Sequence, residues 1–172
     1  MTRRQLDELV DDILDERNDR SLIILCSSII DEQLYDILNT LFKKIKEDDL
    51  LKGDNPLSTF SSRIKILYRI GIIDESLKGI LDNVRKIRNV SAHSVALNLN
   101  KSPLKDHILT LRKSIINRPS YELMKKRYFE NNVNNSSEVK SLFITICVIL
   151  EAINISVIEI AENEKTIIIS KR

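Results

Sequence analysis

The run Arg88-Asn89-Val90-Ser91-Ala92-His93 sets a guanidinium, an amide and an imidazole within six residues, and His93 is one of only two histidines in the chain. An imidazole exchanges protons near neutral pH, and a guanidinium binds phosphate oxygens. Metal-independent RNA cleavage needs such groups: a base for the 2′-hydroxyl, an acid for the leaving 5′-oxygen and positive charge around phosphorus. Spacing limits what one copy can do. On a helix, residues five apart point about 140° apart at ~100° per residue. A single motif therefore cannot easily focus both groups on one phosphate, whereas two copies facing each other across a dimer can. The same residues also admit a bracing role, with Arg88 paired to an acid on a neighbouring helix, Asn89 capping a carbonyl and His93 bonded at a helix end.

Two other constellations carry charge. Lys101, Lys105, Arg112, Lys113, Arg118, Lys125, Lys126 and Arg127 face only two acids, Asp106 and Glu122, between positions 101 and 127, with Tyr121 among them and Tyr128 and Phe129 just after. Cations interleaved with aromatics can track a nucleic-acid backbone and stack bases, although such a run is more often a solvated helix face. Asp31 and Glu32 lie beside an apolar stripe, and Arg63 follows Phe60-Ser61-Ser62. These three suggest an ion pair joining two helices, against the alternative of solvated charges. No metal site is expected, because His93 and His107 lack Cys or carboxylate neighbours at ligand spacing. No cofactor is expected either.

These groups must be positioned by helices. Three glycines, three prolines and 30% charged residues leave little material for the turns of a β fold. The reading is all-α: a single-domain helical bundle, residues 1–172, of about six to seven helices. Leu6, Leu9, Val10, Ile13 and Leu14 recur at helical spacing. A long second helix is expected from Asp19 to about Lys46, followed by a breaking segment from Glu47 to Pro56. A third helix begins at Leu57 or Ser58, with Phe60, Ile64, Leu67 and Tyr68 inward, and Gly71 sits where a left-handed cap is wanted. Asp74 caps a fourth, which carries Leu77, Ile80, Leu81, Val84 and Ile87 inward and holds the Arg88–His93 motif on its last turns or at its exit. Ser102-Pro103 opens a fifth helix through about Ile116, His107 lies on its surface, and Pro119 falls beyond its end. Arg118 to Glu130 forms a short basic helix. Asn131 to Ser137 reads as a loop, with Asn135 and Glu138 capping a last helix from Val139 to about Ile160, where a buried Glu151 would require a partner. Thr166–Ser170 favours a short extended tail.

Composition narrows the setting. A net charge of +2 confines any nucleic-acid contact to a local patch. Cys26 and Cys147 both sit in apolar runs, as buried thiols in a reducing cytoplasm would. The first 20 residues are too charged for a signal peptide. The longest charge-free apolar stretches, Ser21–Ile30 and Ser141–Leu150, have ten residues each against the ~20 that span a bilayer, so no membrane contact is expected.

The spacing of several blocks carries a family resemblance. Pro56-Leu57-Ser58, Phe60-Ser61, Arg63-Ile64, then Tyr68 with Gly71-Ile72-Ile73, then Arg85-Lys86-Ile87-Arg88-Asn89 with Ala92-His93, resemble in order and spacing the mannitol-operon repressor (MltR, also written MtlR) family of bacterial regulators. The R-x-x-x-x-H pattern is similar to that of the HEPN helical domains. The first resemblance implies a transcription-regulator-like protein acting through protein partners, as a homodimer. The second implies a metal-independent endoribonuclease or toxin-like effector, with His93 as general acid or base, Arg88 as phosphate stabiliser and Asn89 as orienting group in a dimer cleft, and RNA as the partner. Neither reading supplies a helix suited to the major groove: the segment after Gly71 is apolar near its start, which argues against direct operator reading.

Overall fold

Three helices, the second, third and fourth in the chain, begin where a side chain satisfies amides that a first turn leaves bare. In the computed structural model, which describes residues 3–42, 50–130 and 137–170, α1 spans Arg3–Asp15 and α2 spans Asp19–Leu41. Between them, Asn18 Oδ1 accepts from the Arg20 and Ser21 amides, both at 3.0 Å. α3 (Phe60–Arg69) opens on a reciprocal cap, in which Thr59 Oγ1 accepts from the Ser62 amide at 3.1 Å and Ser62 Oγ accepts from the Thr59 amide at 3.2 Å. Asp74 Oδ1 accepts from the Leu77 amide at 2.7 Å and opens α4 (Glu75–His93). α5 (Leu104–Ile115), α6 (Pro119–Met124) and a π-helical turn (Lys125–Phe129) follow, before α7 (Glu138–Ser170).

Several boundaries differ from expectation for local reasons. The Thr59–Ser62 cap moves the start of α3 beyond Leu57 and Ser58. α2 stops at Leu41 because Phe42 is already extended, with ψ at 143°; the expected continuation from residue 43, and most of the breaking segment up to residue 49, lie outside the described residues. Pro103 rather than Ser102 stands at the N-cap of α5, and Ser102 Oγ donates to Asp106 Oδ2 at 2.7 Å. Pro119 does more than end α5, since it begins α6, where its missing amide costs nothing. Ser137 Oγ, at 3.2 Å from the Lys140 amide, caps α7; Asn135 lies outside the described residues. The extended tail at Thr166–Ser170 is replaced by the last turns of α7, because adding a residue to an existing helix is easier than starting a strand that has nothing to pair with. Tyr68 turns outward and meets Glu75 and Lys78 instead of the core.

The core lies between α2 and α7, the most extensively packed pair. Ile23, Cys26, Ile30, Leu34, Ile37 and Leu38 from α2 meet Leu142, Phe143, Ile146, Cys147 and Leu150 from α7, all fully buried. Each such Leu or Ile contributes roughly 1.5–3 kcal/mol relative to exposure. α1 packs on α7 and α2, α4 on α2, α3 and α5 on α4, and α6 on α7. The fully buried Ile80, Leu81, Val84 and Ile87 are the inward stripe that fixes α4 and so aims its last turns.

Polar groups stitch this core. Lys140, 7% exposed, donates from Nζ to the Leu14 carbonyl at the end of α1. Gln33 Nε2 donates to the Cys147 carbonyl at 2.9 Å. Glu151 is buried; burial, reinforced by Asp36, pushes its carboxyl above the ordinary value, while Asn154 and Gln33 act the other way. The stretch Glu138–Asn163, whose most apolar window has mean hydropathy 2.3, is long and apolar enough to cross a membrane, but 61% of that window is buried inside the bundle.

Candidate functional site

The Arg88–His93 motif occupies the last turns of α4. Arg88 and His93 are exposed, Asn89 is half-buried, and Ser91 between them is fully buried. Neither Arg88 nor His93 makes a hydrogen bond or ion pair with its side chain among the described residues. Among the described residues the bracing bonds that Arg88 and His93 could have formed are therefore absent, and other groups close the helix. The Ser94 amide and Ser94 Oγ both donate to the Val90 carbonyl, at 3.1 and 2.6 Å.

A second arginine holds the segment that follows. Arg20, in the first turn of α2, donates from Nη2 to the Ser94 carbonyl at 2.6 Å and the Val95 carbonyl at 3.1 Å. Charge-assisted bonds to two successive carbonyls fix the backbone where the chain leaves α4. Val95 then stands at 101% exposure. Arg88, His93 and Val95 are thus each exposed around the exit of α4, on different sides of the chain, with Lys86 also exposed. No aromatic side chain of this stretch is available to stack a base, and exposed charge next to exposed apolar surface is what protein contacts use. Within one chain, Arg88 and His93 lie five residues apart on continuous helix and so point in divergent directions.

The basic stretch is largely committed to the fold. Arg112 pairs with Glu138 and ties α5 to α7. Arg118 donates to Ser76 Oγ at 2.6 Å and to the Ser114 carbonyl at 3.1 Å. Arg127 pairs with Asp7 at 2.8 Å, tying the π turn to α1, and lies over the Tyr128 ring. Tyr128 donates to the same Asp7 at 2.7 Å; burial and this bond push its hydroxyl up to about 12. Lys125 sits over the Tyr121 ring, whereas Lys113 and Lys126 are simply exposed. Tyr121 and Phe129 are buried, which leaves no open stacking platform in this stretch.

Arg63 and Asp31 meet at 2.6 Å, and Arg63 also donates to the Leu51 carbonyl at 2.9 Å and faces the Tyr35 ring. Glu32 is exposed and takes no part. His107 is half-buried, and its carbonyl accepts from Asn83 Nδ2 at 2.6 Å. Among the described residues no cluster of His, Cys, Asp or Glu could hold a metal. Arg20 and Val95 were not legible as site residues, because 74 or more positions separate the clamp from what it holds. Lys140 left a signal, as a single cation within the apolar run that opens α7.

The sequence matches no family model and no curated protein. Solved structures do resemble it. The MtlR–HPr complex from Escherichia coli superposes with a TM-score of 0.63 at 16% identity, covering 88% of this chain and 99% of that one. The fold resembles that of MtlR. A possible transcriptional regulator, YggD from Shigella flexneri, gives a TM-score of 0.56 at 17% identity, covering 90% of this chain and 97% of its own. The likeness spans nearly all of both neighbours and about nine-tenths of this chain.

Proposed function

We propose that this chain is a regulator of transcription that works by binding another protein through the exit of α4, without reading DNA itself. The observation that carries the reading is the outward placement of Arg88 and His93, whose side chains pair with nothing among the described residues, together with fully exposed Val95 at a helix exit held by Arg20. The likeness to an MtlR solved together with HPr supports a protein as the partner, and HPr is the first candidate. Buried Cys26 and Cys147, both free thiols, fit a reducing cytoplasm. Calorimetric titration with purified HPr tests the reading. Saturable binding weakened at least about tenfold, or 1.4 kcal/mol, by Arg88→Ala or His93→Ala is expected. A folded wild-type chain that HPr does not bind would remove HPr as the partner.

One observation also favours a second reading. Exposed Arg88 and His93 are available to RNA as well as to protein, and a metal-independent ribonuclease would use them from two chains at once. Cleavage of labelled single-stranded RNA in EDTA, lost in both alanine variants, would establish that reading and displace the first.

A further inference from the structure

We infer that the groove between α6 and α7 receives an amphipathic helix of a partner protein, apolar along one stripe and basic beside it. The groove, of about 500 Å³, is lined by Ile149, Ala152, Ser156 and Ile160 of α7 and, across from them, by Ile72 and Ser120. The four α7 residues follow helical spacing, so the hollow runs along the helix instead of sinking into the bundle. Ser156 Oγ donates back to the Ala152 carbonyl at 3.0 Å, and a covering chain therefore strands no hydroxyl donor. Exposed apolar side chains extend the surface: Ile160 at 60% on α7, and Leu123 at 62%, three residues beyond Ser120 on α6.

Shape and charge select this occupant. From Ile149 to Ile160 the groove follows α7 for ~17 Å, about three turns of a second helix. Small Ala152 and Ser156, one turn apart, let a second axis approach to the ~8–10 Å of packed helices. Helix-in-groove recognition uses this geometry, with apolar anchors about one turn apart along the bound helix. The charge is one-sided. From Ser141 to Glu164 the chain holds no Lys or Arg. Glu159, three residues after Ser156 and seven after Ala152, is exposed on the same strip of α7, and exposed Glu162 follows one turn later. Arg118 and Lys125, which flank Ser120 in sequence, are engaged elsewhere: Arg118 with Ser76 and the Ser114 carbonyl, Lys125 over the Tyr121 ring. An apolar hollow with carboxylates along its α7 edge is complementary to a helix that carries Lys or Arg beside its apolar stripe. The same carboxylates disfavour a second copy, which brings its own, and an anionic lipid surface.

Ile72 lies just before α4, while the Arg88–His93 motif is at the other end of that 19-residue helix, ~28 Å away. A helix seated in the groove leaves the α4 exit uncovered. The chain thus offers two separate protein-binding surfaces of different character, and both can be occupied at once.

Fluorescence anisotropy of the full chain with a labelled model helix tests the seat. The probe is a stapled peptide of about 14 residues, with leucine on one stripe and lysine beside it, compared with the same peptide carrying glutamate in place of lysine. Saturable binding of the lysine peptide, at least about tenfold tighter than that of the glutamate peptide, is the expected result. Ser156→Phe, which fills the groove without adding charge, should weaken it at least about tenfold with an unchanged circular dichroism spectrum. Should that variant fail to fold, the exposed carboxylates give an independent readout: Glu159→Lys should weaken the lysine peptide at least about threefold, while the charge-matched Glu32→Lys on α2 leaves it unchanged. Failure of the wild type to bind the lysine peptide overturns the inference, as do equal binding of the two peptides and equal losses at Glu159 and Glu32. A wild-type dimer that Ser156→Phe splits at sedimentation equilibrium also overturns it, by giving the groove to a second copy. Flotation with phosphatidylcholine vesicles that Ser156→Phe abolishes overturns it in favour of lipid. The HPr titration is scored separately, because Arg88→Ala and His93→Ala should leave binding of the lysine peptide unchanged.

Discussion

The Arg63 guanidinium meets the Asp31 carboxylate at 2.6 Å and joins α3 to α2. Arg63 is 8% exposed and also donates to the Leu51 carbonyl, so its removal strands a carboxylate and a carbonyl together. Loss of one partner of a fully buried pair costs about 3–5 kcal/mol. Asp31 keeps access to water, which lowers the expected cost of Arg63→Ala to about 2 kcal/mol, or ~4–8 °C in Tm for a chain of this size. Asp31→Asn should cost less, because the amide oxygen still accepts from Arg63. Thermal melts followed by circular dichroism decide both.

Arg88→Ala and His93→Ala should leave the fold alone. Both side chains are exposed and bond to nothing within the described residues, and surface changes of that kind fall within about ±0.5 kcal/mol. Melting curves that overlay the wild type are expected. A drop of several degrees in either would show that the motif braces the bundle.

Arg20→Met should loosen the α4 exit while the core stays intact. Without the two bonds to the Ser94 and Val95 carbonyls, backbone amides in the segment 94–98 should exchange with deuterium faster, while those of Leu34 and Phe143 keep their protection. Partner affinity should fall too, although Arg20 is not itself placed to touch the partner. Unchanged exchange in the 94–98 segment would contradict a clamp.

Glu151 sets a pH dependence. Its folded value lies above its ordinary one, chiefly through burial, so the native state holds the proton more tightly than the unfolded chain does. The associated stability is present below the ordinary carboxylate range and is lost as pH rises through the raised folded value. Glu151→Gln should therefore be at least as stable as wild type at pH 8, and the decline in wild-type stability from pH 5 to 8 should flatten. Denaturant midpoints at the two pH values supply the comparison.

The thiols should be inert in the native protein. Burial pushes Cys147 up to about 12; burial and the proximity of Cys147 drive Cys26 up as well. Because the thiolate is the reacting form, labelling with Ellman's reagent should be orders of magnitude slower than in guanidinium. Rapid labelling of folded protein would mean that the contact between α2 and α7 opens readily.

What the sequence revealed and what it hid divide along physical lines. Ile80, Leu81, Val84 and Ile87 announced the inward face of α4 through their spacing, and Asp74 and Gly71 announced its entry through side-chain and backbone chemistry that acts within a few residues. Such signals are local, and they survive in a linear reading. The Arg20 clamp, the Arg127–Asp7 pair and the seat of Lys140 each join positions 74 or more apart, where no spacing rule reaches. Tyr68 misled because a ring at a core-facing spacing can be drawn outward by a carboxylate and an ammonium on the next helix. Thr166–Ser170 misled because β-branched residues lower helix propensity only slightly, and a helix already 28 residues long carries them along.

The pairing of α2 with α7 also shapes how the chain comes into being. Leu41 ends α2 about 100 residues before Glu138 begins its main packing partner. At a synthesis rate of ~5–20 residues per second, that interval lasts roughly 5–20 s. Throughout it, the apolar stripe from Leu22 to Leu38 waits without the surface it is shaped to meet. A nascent chain in this condition is a natural client for a holdase, and its yield in a cell depends on how well that interval is guarded as well as on the stability of the finished bundle.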